Sequence, residues 1–66
     1  MDSEWKIRVC YERADLEMQL LKLTAFISSE GFNKLEHRDR ELLWEQLDIM
    51  KAYRKVLTKR IRRFGI

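Results

Sequence analysis

In the first half of the chain, apolar residues return at alternating steps of four and three. Ile7, Tyr11, Ala14, Met18, Leu21 and Ala25 form one such row, and Trp5, Val9, Leu16, Leu20, Leu23 and Ile27 form a second apolar row, with a step of seven between Val9 and Leu16. At about 100° per residue each row is a narrow stripe on an α-helix, and the two stripes fall on roughly opposite sides. Polar residues separate them, with Arg8, Glu12, Asp15 and Gln19 on one flank and Lys6, Arg13 and Glu17 on the other. The pattern predicts a helix over about residues 3–28, with Asp2 or Ser3 as its N-cap and Glu4 well placed in the first turn. A helix apolar on two sides needs two neighbours, because one hairpin partner covers only one side.

The rhythm breaks at SSEGFN, residues 28–33. The chain has no proline and only two glycines, Gly31 and Gly65, so this is its one strong turn signal. The connector is expected at about residues 29–36, with Phe32 and Leu35 closing over the hairpin end on a short turn capped by Ser28 or Ser29. A second helix follows over about residues 37–63, with Asp39 in its first turn. Its broad apolar face holds Leu42, Leu43, Leu47, Ile49, Met50, Tyr53, Val56, Leu57, Ile61 and Phe64, and its opposite side holds Lys51, Lys55, Thr58 and Arg62. Two arms of roughly 25 residues, about 38 Å each at 1.5 Å per residue, joined by so short a connector, predict one all-α domain: an antiparallel two-helix hairpin.

A chain of 66 residues leaves much apolar surface wet unless something assists it. Cys10 is the only cysteine and His37 the only histidine, which excludes an internal disulfide and a Cys/His zinc site within one chain. Self-association is the remaining aid. The expected assembly is a homo-oligomeric helical bundle whose subunit interface is the row Trp5, Val9, Leu16, Leu20, Leu23 and Ile27.

Charge divides the chain. Residues 51–66 carry seven basic side chains and no acid, whereas the first fifty residues carry 7 basic and 11 acidic ones, for a net +3 overall. A basic end suits nucleic acid, a nucleotide or an acidic protein surface, and it also suits the dipole at a helix C-terminus. No export signal is visible, and no window approaches the roughly 18 uncharged apolar residues of a membrane span. An intracellular protein without a membrane partner is expected.

Three sets of residues carry candidate chemistry. Gln46, Tyr53 and Arg60 repeat every seven residues on the apolar side of the second helix. Such a polar row either fixes helix register or offers an amide, a hydroxyl and a guanidinium fork to a phosphate or an adenine ring. Trp44, with Lys51, Lys55 and Arg62, has the composition of a partner-binding patch. The group Arg54, Lys55, Lys59, Arg62 and Arg63 is suited to tracking a phosphate backbone. Catalysis has no support: there is no Gly-rich phosphate loop, no H-E-x-x-H, and no spacing that joins Ser28, Ser29, His37 or Cys10 into a nucleophile-base set. No metal or cofactor is expected.

The runs LLKLTAFISSEGFNKL and LLWEQLDIMKAYRKVLTKRI are similar to those of short two-helix bacteriophage and prophage proteins. The shared pattern is K-L-x-x-F-I-x-S-x-x-F-x-x-L followed by L-L-x-x-Q-L-x-x-M-x-x-Y-x-x-x-L-x-x-R-I. Lys22, Leu23, Phe26, Ile27, Ser29, Phe32 and Leu35 carry its first part. Leu42, Leu43, Gln46, Leu47, Met50, Tyr53, Leu57, Arg60 and Ile61 carry the second. The likeness spans about residues 12–61; where the pattern has Ser or Asp before the second helix, this chain has Glu36. It implies a non-enzymatic phage protein in the host cytoplasm that counters a host defence system, by binding a host protein or sequestering a nucleotide signal. The alternatives are a Rop-like nucleic-acid-binding regulator and a structural phage component.

Overall fold

A computed structural model describes residues 3–64 of the chain. Two long helices, α1 (Glu4–Ile27) and α3 (His37–Phe64), flank a single short turn of helix, α2 (Glu30–Asn33). The long helices pack against each other along a rod of 48 × 15 × 15 Å. Their antiparallel register is recorded by cross-helix pairs along its length, Trp5 with Phe64, Arg13 with Thr58 and Glu17 with Arg54.

Ser3 occupies the N-cap of α1, where its carbonyl accepts from the Ile7 N–H but its hydroxyl makes no cap bond. Asp2, the other expected cap, lies outside the described residues. At the far end Ser28 N–H donates to the Thr24 carbonyl and Ser29 N–H to that of Phe26, using carbonyls that an ending helix leaves without partners. Ser29 then sits at the N-cap of α2 with an extended backbone, while its hydroxyl bonds back to the Phe26 carbonyl. The expected serine cap of α2 therefore holds in position but serves α1 in its side-chain bonding. A Cβ at Gly31 would lie 3.3 Å from Phe26 Cε1, so the smallest residue leaves room for that ring at the turn.

Beneath the turn Phe32 is buried, with Phe26 and Trp44 edge-on at centroid distances of 6.3 and 5.8 Å. Along the rod, Val9, Leu16 and Leu20 of α1 meet Leu47 and Leu57 of α3, with Leu23, Ile27, Met50, Ile61 and Phe64 packed around them. Leu57 is fully buried.

This core corrects the expected subunit interface. Val9, Leu16 and Leu20 are buried inside the chain, Leu23 and Ile27 are half-buried against the same core, and Trp5 packs on Phe64, so that row of α1 is already covered by α3. The row left open is the opposite one: Ile7, Tyr11, Met18 and Leu21 are each half or more exposed. Periodicity defines two faces but not which of them meets α3. Branched aliphatics interdigitate with the leucines of α3, whereas the other row interposes Ala14 and Ala25, which would leave voids in a close-packed seam.

Leu57→Ala should cost about 2–5 kcal/mol through lost burial and a residual cavity. In so small a chain that lowers the melting temperature by roughly 10 °C or more, read by circular dichroism at 222 nm. Leu21→Ala, on the open side of α1, should change stability by no more than about 0.5 kcal/mol in the isolated chain.

Candidate functional site

The antiparallel register places the first turns of α1 beside the last turns of α3, and that open end of the hairpin has its own chemistry. Trp5 and Phe64 stand edge to face, with centroids 4.8 Å apart and planes at 84°. Lys6 Nζ lies 5.8 Å from the Trp5 ring centroid and 5.9 Å from that of Phe64, within the range of a cation–π contact. With Arg60 and Arg63 these residues line a recess of about 390 Å³. Three cations and two aromatic rings face it, and among the described residues no carboxylate is part of its walls. Such a recess can take a flat ring against an aromatic face and a phosphate between guanidinium forks.

Gln46, Tyr53 and Arg60 are not gathered into one pocket, because seven residues of α-helix advance about 10.5 Å. Gln46 reaches only as far as Met50 Sδ, 3.8 Å away. Tyr53 belongs to a different cleft, about 440 Å³, whose other walls are Arg8, Tyr11, Glu12, Asp15, Leu16 and Gln19. One cation against two carboxylates makes that cleft a poor host for an anion. Arg60 alone of the row enters the cationic recess, beside residues that lie almost a chain length away in sequence.

The other flank of α3 carries a basic furrow of about 360 Å³, lined by Lys51, Arg54, Lys55, Thr58, Lys59 and Arg62. Not all of its charge is free. Arg54 Nη1 grips both carboxylate oxygens of Glu17, at 2.9 and 3.2 Å. Thr58 Oγ1 accepts from Arg13 Nε and donates to the Arg54 carbonyl, both at 2.9 Å, which ties the furrow floor to α1. The furrow thus gathers Lys51, Lys55 and Arg62 of the expected partner patch. Trp44 stands outside it, half exposed and packed edge-on against Phe32.

The recess at the open end was legible only in fragments. Trp5 read as an interface residue, Arg63 as one of a basic cluster, and Lys6 as a solvated flank. Only the pairing of the helix ends joins them. Among the described residues, no group of His, Cys, Asp and Glu is arranged to hold a metal ion, and no helix is long and apolar enough to cross a membrane.

Residues 3–63 match the Sequestin family. This chain belongs to the Sequestin family. The match includes the first turns of α1, with Trp5 and Lys6, which the likeness over residues 12–61 left out. Membership supports a coarse functional statement: the protein is a helical sequestering protein of the anti-defence kind, which acts by binding. No curated protein and no solved structure matches the chain.

The Glu17–Arg54 pair, whose side chains are 39% and 36% exposed, should contribute modestly to this Sequestin's stability. A double-mutant cycle with Glu17→Gln and Arg54→Ala, followed by thermal unfolding, should give a coupling of no more than about 1 kcal/mol that shrinks with added salt.

Proposed function

We propose that this Sequestin withholds a nucleotide signal from a host defence system, acting in the host cytoplasm as a phage-encoded binder that leaves the ligand chemically unchanged. The recess formed by Trp5, Lys6, Arg60, Arg63 and Phe64 is the observation that carries this reading. It joins an aromatic edge to three cations in a chain whose family works by sequestration. Guanidinium forks bind phosphate oxygens in pairs, and an indole face accepts any base without reading its edges. Sequestration needs no more than this, because a binder present in excess lowers the free signal by mass action.

The test is thermal unfolding of the full chain across a panel of cyclic and linear nucleotides. A true ligand at about 100 times its Kd adds about 2.7 kcal/mol, which in a chain of this size raises the melting temperature by roughly 10 °C or more. Arg60→Ala and Arg63→Ala should each weaken binding about tenfold or more, the loss of a charge-assisted hydrogen bond, while Lys55→Ala should not. The ligand recovered after denaturation should have its original mass. Absence of a shift across the panel, or recovery of a cleaved nucleotide, would overturn the proposal.

The furrow of Lys51, Lys55, Lys59 and Arg62 favours a second reading, a binder of nucleic-acid backbone. On that reading affinity for duplex falls about a hundredfold between roughly 50 and 200 mM salt, and less for a single strand, and Lys55→Ala weakens it on every sequence. Salt-insensitive or undetectable binding to oligonucleotides of both kinds removes it.

A further inference from the structure

Helix α3 contains two four-three seams, and the hairpin uses one of them. Leu43, Leu47, Met50, Arg54, Leu57 and Ile61 face α1, all of them buried or half-buried. Each is preceded in the chain by a residue of a second seam: Leu42, Gln46, Ile49, Tyr53, Val56 and Arg60, all exposed. One residue of α-helix is about 100° of rotation, so the second seam looks sideways, at nearly a right angle to the direction of α1. In a four-helix bundle each helix meets two neighbours at about that angle. Ile49 is 62% exposed and Val56 52%, and such apolar positions at heptad spacing are those that a coiled-coil partner covers.

The charge along α3 selects the occupant. From His37 to Met50 the helix carries Asp39, Glu41, Glu45 and Asp48 against Arg38 and Arg40, and from Lys51 to Phe64 it carries only cations. On the outer flank of the open seam lie Glu41, Glu45 and Asp48 in the first half and Lys55 and Lys59 in the second. A second α3 laid parallel would set acid against acid and base against base. Laid antiparallel, it sets each acidic half against a basic half.

We infer that two copies of this chain pair through the Leu42–Arg60 seam, α3 against α3 in antiparallel order, to make a four-helix bundle. The two-fold axis passes near Lys51, which brings Ile49 of one copy to Tyr53 of the other and Gln46 to Val56. The axis that exchanges antiparallel α3 helices keeps both α1 helices on one side of them, so the Tyr53 clefts of the two copies face each other across the dyad. Gln46 and Tyr53 then cover Val56 and Ile49 of the other copy with their apolar stems and keep their polar ends at the rim of the seam, which gives a role to a polar row that no pocket within one chain gathers. The open-end recesses lie at opposite ends of the rod, one per chain. This pairing does not depend on which ligand is sequestered.

Light scattering behind size exclusion should give a mass about twice the 8.1 kDa of one chain. Ile49→Lys should return it to that of one chain with the helical circular dichroism retained, since the residue is outside the hairpin core. Leu21→Lys, on the open row of α1, should leave the pair intact. In a Cys10→Ser background, Ala52→Cys beside the axis should cross-link two chains under mild oxidant, and Leu42→Cys, far from its own copy, should not. A wild-type mass near 8.1 kDa at 100 µM, a pair that survives Ile49→Lys or is split by Leu21→Lys, or ready cross-linking through Leu42→Cys would overturn the inference. A monomeric Ile49→Lys that still binds nucleotide separates this result from the proposed function.

Discussion

The antiparallel seam between α1 and α3 is the constraint on which the rest of the molecule depends. Val9, Leu16 and Leu20 interlock with Leu47 and Leu57, and a shift of one residue along either helix would turn those side chains by about 100° out of the contact. Phe32, held between Phe26 and Trp44, closes the turn end of the seam, and the Trp5–Phe64 pair closes the open end. With both ends aromatic and the middle leucine-rich, hydrophobic burial selects one register over its neighbours. A short chain has few other means of doing so, since its core is small and it has no internal disulfide.

Register then distributes charge. Because Arg54 falls opposite Glu17 and Thr58 opposite Arg13, part of the basic helix is tied down by α1 and its potential is lowered along one flank. At the open end Arg60 and Arg63 meet Lys6 and two rings, and among the described residues no acid lines the recess, so their own charges leave its potential positive. On the Tyr53 side Glu12 and Asp15 outweigh Arg8. Three surfaces of one hairpin thus differ in sign and strength, and only the open end joins positive charge to aromatic surface. That division favours a phosphate-bearing small molecule held at the end of the rod over one held along its side.

A sequestering protein needs affinity and abundance, not a catalytic apparatus, and a rigid helical rod meets that need with few residues. Pairing through α3 would extend the buried surface of a marginal chain while leaving each recess at a free end. It would also explain why α3 bears apolar residues on two adjacent faces.

Helical character, the two long arms and their packing against each other were legible in the sequence, because the four-three periodicity of Val9 to Ile27 and of Leu43 to Ile61 is a local property of side-chain spacing. So was the uneven charge, which needs only counting. The choice of inner face on α1 was not legible: two opposite rows satisfy the same periodicity, and only the fit of branched side chains against α3 decides between them. The candidate site was half legible for a related reason. Arg60 stood out on its own helix, but Trp5 and Lys6 are neighbours of Arg63 and Phe64 only once the helices are paired end to end. Spacing within a helix is written in the chain one turn at a time; proximity between helices depends on register, and register is a property of the packed seam.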